Sequence, residues 1–228
     1  MLSTQYRITA RGLKVLRIRW HGHACFEIDG SVRVVTDPHD GKSIGLTPPK
    51  VSADIVLVSH DHFDHNADTR VRSHDGSVIR DPVMTVEKGV RIEGFTANHD
   101  ANGGAKRGRI TIFRFEVDGT SFCHLGDLGH TLDESLVDRI APVDMLFVPV
   151  GDTFTIGPQT AKSVVDSISP KVAVPMHYRV PGLGISLQPV EKFLDAVKGR
   201  HVVQVGNEID FSQDDLPQSG TEIWVFSR

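Results

Sequence analysis

An apolar run, Ile55-Val56-Leu57-Val58, passes directly into Ser59-His60-Asp61-His62-Phe63-Asp64-His65. The run reads as a strand buried on both faces. The histidine-rich stretch after it cannot continue that strand. His60, His62, Asp64 and His65 lie close together in it, and the alternation of an extended chain would send them to opposite faces. A loop turning into a helix gathers them into one cavity. Imidazole and carboxylate together suit zinc, manganese or iron, and the absence of nearby cysteine argues against a purely structural zinc site.

The remaining segments supply the frame for such a loop. Strands are expected at 15–18, 25–28 and 32–36, with Asp29-Gly30 as a turn, then at 54–58, 84–86, 90–95, 110–117 and 120–124, with a hairpin turn at Asp118-Gly119. Residues 38–50 form a loop rich in Gly and Pro. Further strands are expected at 144–150, 172–175, 201–205 and 222–226. Helices are expected at 132–140, with Asp133 or Thr131 at the cap, at 158–168, opened by a proline in its first turn, and at 189–197, where Val190, Phe193, Leu194 and Val197 recur at helical spacing. Buried strands with helices between them predict an α/β layered fold, sheet inside and helices outside. A length of 228 residues fits one domain spanning 1–228.

Histidine is unusually frequent, at 12 residues, and several fall just after expected strands. His99 follows 90–95, Asp127 follows 120–124 and His177 follows 172–175. Loops at strand ends are where layered folds build their sites, so these residues can converge on the 60–65 loop. Two cysteines, Cys25 and Cys123, make neither a disulfide framework nor a zinc ribbon. They fit a reducing, cytoplasmic setting. No apolar run approaches the ~20 residues a membrane span needs, and the N-terminus lacks the apolar block of a signal peptide. A net charge of −4 argues against a general nucleic-acid surface. The expected partner is a small-molecule substrate, with room left for a homo-oligomer.

The pattern H-x-H-x-D-H at 60–65, followed by single His, Asp and His at 99, 127 and 177, resembles the metallo-β-lactamase superfamily over roughly residues 15–205. GHACFEI at 22–28, GDLGH at 126–130, FVPVGDTFTIGPQTA at 147–161 and PKVAVPMHY at 170–178 are similar to its small metal-dependent hydrolases, the relatives of ascorbate-phosphate lactonases. The resemblance implies an αββα sandwich with a dinuclear site at the sheet edge. It implies His60, His62 and His99 on one divalent ion and Asp64, His65 and His177 on the other, with Asp127 bridging. Zinc fits this set best, with manganese or iron as alternatives. Electron-transferring diiron members carry Glu where His62 stands, so His62 points to hydrolysis. No gap between the motifs holds the inserted domain of the nucleic-acid-processing members, and only some 50 residues follow His177, short of a thioesterase-type helical domain.

Such a pair of ions lowers the pKa of a shared water toward ~7 and supplies hydroxide as nucleophile. The expected reaction is attack on an ester or lactone carbonyl. A small or cyclic phosphodiester is the alternative target, and a non-catalytic metal-binding or sensor protein on the same fold is the alternative of another class. Asp64 is expected to orient the nucleophile and move its proton. His23 and His130 are candidate donors to the developing oxyanion. Asp37, ending the third strand, is expected to orient a ligand histidine. His124 reads as a core residue, and His21, His39, His74 and His201 as surface or packing residues. The glycine-rich stretch 103–109 carries Lys106, Arg107 and Arg109, candidates for holding an anionic group of the substrate. The loop at 151–157 is a candidate pocket wall, and its amides, ahead of the helix at Pro158, a candidate anion site.

Overall fold

The computed structural model describes residues 14–228. The reading of the N-terminal segment falls mainly on residues 1–13 and lies outside them. Six strands form one sheet in the order β13-β1-β2-β3-β4-β5: β1 (Leu16–Gly22), β2 (Cys25–Asp29), β3 (Arg33–Thr36), β4 (Ala53–Leu57), β5 (Arg72–Ile79) and β13 (Glu208–Phe211). Eight form the other, ordered β12-β14-β11-β10-β9-β8-β7-β6. They are β6 (Met84–Glu87), β7 (Val90–Asn98), β8 (Arg109–Val117), β9 (Thr120–His124), β10 (Met145–Pro149), β11 (Val172–Met176), β12 (Val202–Gly206) and β14 (Glu222–Phe226).

Sequence dictates these elements locally. Asp118 and Gly119 both take positive φ, +51° and +82°, and join Val117 to its partner Thr120 in a two-residue turn. That is the turn whose twist matches a hairpin. Helix α1 (Glu134–Ile140) starts where the Asp133 carboxylate accepts a hydrogen bond from the Leu136 amide at 2.8 Å. Helix α2 (Pro158–Ile168) buries Ala161, Val164, Val165 and Ile168. The third helix, α3 (Glu191–Ala196), is shorter than its apolar spacing predicts.

The main core joins the two sheets. Phe26 of β2 stands fully buried with its ring 4.4 Å from Phe147 of β10 and 5.8 Å from Phe226 of β14. In β3 and β4 the side chains alternate between faces. Val34, Ile55 and Leu57 join this core, whereas Val35, Val56 and Val58 form a smaller buried cluster with Cys25, Ala53 and Val71. Helix α2 packs on β10, and α1 and α3 pack on α2. Among the described residues, all three α-helices therefore belong to the eight-stranded side. On the six-stranded side the helical elements are short 3-10 turns such as Asp68–Arg70.

Two strands lie where the sequence predicts none. β5 pairs parallel with β4 at the sheet edge, and β13 pairs antiparallel with β1. The useful consequence of the topology is directional. β3 and β4 run parallel, and β7, β9, β10 and β11 share one direction. Their carboxyl ends, and the β1–β2 turn beside β3, meet at one edge of the two sheets.

Candidate metal centre

The residues after these strand ends converge. Loop 59–65 leaves β4 as a turn closed by the His65 amide donating to the His62 carbonyl at 3.0 Å, not as the start of a helix. His99 follows β7, Asp127 follows β9 and His177 follows β11. The Asp127 carboxylate stands at the middle. Its Oδ2 lies 3.3 Å from His177 Nε2, 3.4 Å from His65 Nε2, 3.4 Å from His99 Nε2 and 3.9 Å from His60 Nε2. To one side, His62 Nδ1 is 3.1 Å from His60 Nε2 and 3.2 Å from His99 Nε2. To the other, Asp64 Oδ2 is 3.6 Å from His65 Nε2. Two of the donor groups whose atoms lie within 4.8 Å of one another flank Asp127, His60 with His62 and His99, and His23 with Asp64, His65 and His177, while a third, Asp37 with His60 and His65, links them from behind.

The backbone holds this arrangement under strain. His23, Asp37 and His177 all take left-handed φ, at +56°, +37° and +53°. Such conformations persist only where the surroundings over-determine them. Close packing does so here. A Cβ on Gly151 would sit 2.0 Å from the His177 carbonyl oxygen, and one on Gly129 would sit 2.4 Å from the His99 carbonyl carbon. These glycines let the loops carrying Asp127 and His177 press against their neighbours. The amide of His177 also donates to the His23 carbonyl at 3.1 Å, tying the two sheets together beside the centre.

The hydrogen bonds behind the donors decide which nitrogen faces inward. Asp37 accepts from the Ser59 amide at 2.6 Å and the Ser59 hydroxyl at 2.6 Å, and lies 3.0 Å from His65 Nδ1. With its hydroxyl proton given to Asp37, Ser59 Oγ can accept from His60 Nδ1, 2.8 Å away. Nδ1 is thereby the engaged nitrogen of both histidines, and Nε2 is the one turned toward Asp127, where a cation would take it. Asp37→Asn should weaken metal affinity by about 10–100-fold, because an amide cannot accept from all three partners. A chelator-competition titration measures this, and wild-type affinity in the variant would remove the role. Ser59 is the residue that sequence reasoning passed over. Its only signal was its place immediately before His60.

The electrostatics fit a cationic guest. Burial, with help from His177 and His65, pushes His23 down to about 3, and burial with His65 likewise takes His60 to about 3. Burial lowers His99 as well. These rings are neutral and available as ligands near pH 7. Burial opposes ionisation of Asp127, but His177 and His65 outweigh it and hold the carboxylate well below its ordinary range. His65 Nε2 and Asp127 Oδ1 are buried with no hydrogen-bond partner. Buried polar atoms left this way are rare and ask for an ion. The donor set of five imidazoles and two carboxylates therefore fits divalent ions.

Other expected residues fall elsewhere. His23 is fully buried, with Nε2 3.0 Å from Asp64 Oδ2. It backs Asp64 instead of facing substrate. His130 is held at both nitrogens: Nε2 accepts from the Asn98 amide at 3.0 Å, and Nδ1 lies 2.6 Å from the Thr131 carbonyl oxygen. It links the end of β7 to the loop after Asp127 and has no ring atom left for an oxyanion. His124 is a core residue whose Nε2 lies 2.9 Å from the Ala24 carbonyl oxygen. His39 is the packing kind of the two readings, fully buried with Nε2 3.1 Å from the His21 carbonyl oxygen.

A cavity of about 450 Å³ opens onto the centre, lined by His62, Asp64, His99 and Asp127 and rimmed by Phe63, Arg107, Phe154 and Ile185. Phe154 shows that loop 151–157 walls the pocket. The Asp152 carboxylate already lies against Gly157, the N-cap of α2, where the loop was expected to receive an anion. Lys106 is not among the lining residues.

Comparison with known proteins gives consistent matches. A β-lactamase superfamily domain matches residues 17–177. A UPF0173 metal-dependent hydrolase of Pelotomaculum thermopropionicum is 30% identical over 219 residues, covering 83% of this chain and 95% of the relative. Another, from Thermococcus onnurineus, is 30% identical over 190 residues, covering 72% and 85%. Among solved structures, a candidate zinc-dependent hydrolase of the metallo-β-lactamase superfamily from Thermotoga maritima aligns with a TM-score of 0.76 at 36% identity, covering 93% of this chain and all of that one.

Proposed function

The chain belongs to the β-lactamase superfamily, and from that premise we propose that it is a metal-dependent hydrolase of a small molecule, using two divalent ions against an ester or lactone carbonyl. One observation supports the two-ion reading: a buried carboxylate, Asp127, within 3.9 Å of histidines from two donor groups, His60 and His99 of one and His65 and His177 of the other. His60, His62 and His99 would hold one ion, and Asp64, His65 and His177 the other, with Asp127 reaching both. Zinc suits the nitrogen-rich set best, and manganese or iron can use the same ligands. When bound, the ions lower the pKa of a shared water and polarise the bond under attack.

The chain's own residues do the rest. Asp64 lines the cavity and is backed by His23. Burial opposes its ionisation, but the hydrogen bond to His23 and the neighbouring His65 outweigh that and keep it a carboxylate. Its proposed role is to orient an attacking water and to take its proton on the carboxylate. The cavity volume suits a small substrate. Phe63 and Phe154 give the rim an apolar character that fits an organic acyl body better than a polymer backbone.

The test is direct. Protein purified from metal-supplemented medium should carry about two ions per chain by elemental analysis, as two first-row ions in such a site require. The loaded protein should hydrolyse carboxylic esters or lactones in a screen that also holds phosphodiesters and thioesters. Less than one ion per chain overturns the two-ion reading. Turnover of phosphodiesters alone would move the target from carbonyl to phosphorus, and a loaded protein inert to every class would favour a binding or sensing role.

A further inference from the structure

The rim of the cavity holds one cation whose charge nothing nearby answers. The Arg107 guanidinium lies over the Phe154 ring, 4.2 Å from its centroid. Among the described residues no carboxylate comes within ion-pair distance of it. Asp100, in the same loop, is engaged otherwise. Its two carboxylate oxygens accept from the backbone amides of Asn102, Gly104, Lys106 and Arg107, at 2.7 to 3.1 Å. Asp100 therefore shapes the loop and does not neutralise the arginine.

That loop is tied to the centre. Asp100 directly follows His99, and the Arg107 amide is held to Asp100 at 2.8 Å. Arg107 thus sits at a fixed offset from a proposed metal ligand. Its platform is fixed too. Phe154 takes φ of +76°, a costly conformation for an aromatic residue, and so is presented to the cavity at an expense in backbone strain. A guanidinium stacked on an aromatic face keeps its in-plane donors free for an anion.

We infer that Arg107, laid on Phe154, receives an anionic group of the substrate, a carboxylate above all, while Phe63 and Ile185 contact its apolar body. This rests on the hydrolase reading and narrows its substrates to acids bearing an ester or lactone. A planar carboxylate matches the arginine fork, and Phe63, Phe154 and Ile185 give the rest of the rim its apolar surface beside Gly184 and Ser186.

The experiment compares 4-nitrophenyl hemisuccinate with 4-nitrophenyl butyrate on the metal-loaded protein, and calorimetric binding of 4-phenylbutyrate with its neutral amide. Arg107→Ala should lower the kcat/KM ratio of hemisuccinate to butyrate by about tenfold or more, mainly through KM, as expected for loss of one charge-assisted contact. It should weaken 4-phenylbutyrate binding by a similar factor and leave metal content at the wild-type level. Arg107→Lys should recover only part of the difference, because ammonium keeps the charge without the stacked fork. Phe154→Leu should fall in the same direction as Arg107→Lys. An Arg107→Ala protein with wild-type ratios in both assays overturns the inference. If neither ester is turned over but carboxylate binding still depends on Arg107, the hydrolase reading fails and the anion site stands.

Discussion

Asp64→Asn should cut turnover by roughly 10²–10⁴-fold, the range over which a positioned acid–base group acts, with the fold intact. The substitution preserves shape, so the tight surroundings of loop 59–65 are not opened. What it removes is charge and basicity at Oδ2, the atom 3.0 Å from His23 Nε2 and 3.6 Å from His65 Nε2. An asparagine there cannot take a proton from water. It also weakens one proposed ion site, so the measurement needs two arms: kcat at saturating metal, and metal content by elemental analysis with circular dichroism as the fold control. Loss of turnover that persists at full metal occupancy assigns the proton-handling role. Turnover close to that of the wild type at full occupancy would withdraw it.

Phe26→Ala should destabilise the protein by about 3–5 kcal/mol, the usual cost of truncating a buried phenylalanine. Phe26 is fully buried and touches aromatic partners on both sheets, including Trp20, Phe147 and Phe226. Its removal leaves a void where the two layers meet, and Trp20 and Tyr178, 5.1 Å apart, cannot collapse into it without leaving their own contacts. At roughly 2–4 °C per kcal/mol for a chain of this size, Tm should fall by about 6–20 °C. Scanning calorimetry measures it. A Tm unchanged from wild type would mean that the layers are joined elsewhere.

Much of the candidate site could be read from the chain because its chemistry is locally concentrated. His60, His62, Asp64 and His65 follow one apolar strand, and a strand-then-ligand pattern survives without knowledge of tertiary structure. His99, Asp127 and His177 were legible for the same reason. Direction is what a linear pattern does not carry. His23 and His130 look like donors as letters, but burial sets one against Asp64 and backbone groups saturate the other. Ser59 becomes meaningful only when Asp37 is brought to it from a neighbouring strand.

The fold shows the same divide. Strands with continuous or alternating apolar residues were visible. β5, whose sequence is Arg-Ser-His-Asp-Gly-Ser-Val-Ile, was not, because an edge strand buries little and needs little apolar pattern. β13 is only four residues long and pairs with β1 across nearly the whole chain. The layered α/β fold with two sheets was legible as well; among the described residues the α-helices lie on the eight-stranded side, and the 3-10 turn Asp68–Arg70 leads into Val71 of the buried cluster on the six-stranded side.

The strand-end ligands and the loop-borne rim have different freedoms to change. His99, Asp127 and His177 stand on segments packed so closely that a single added methyl at Gly129 or Gly151 collides with backbone. Arg107 and Phe154 stand on loops whose exposed side chains can be exchanged without disturbing that frame, and the half-buried Ile185 borders the same cavity. Descendants of such a chain can inherit the reaction whole and renegotiate only the molecule it is applied to. Divergence among relatives should then be concentrated at 101–108, 152–155 and 183–186, and a library confined to those stretches should shift preference far more often than it abolishes hydrolysis.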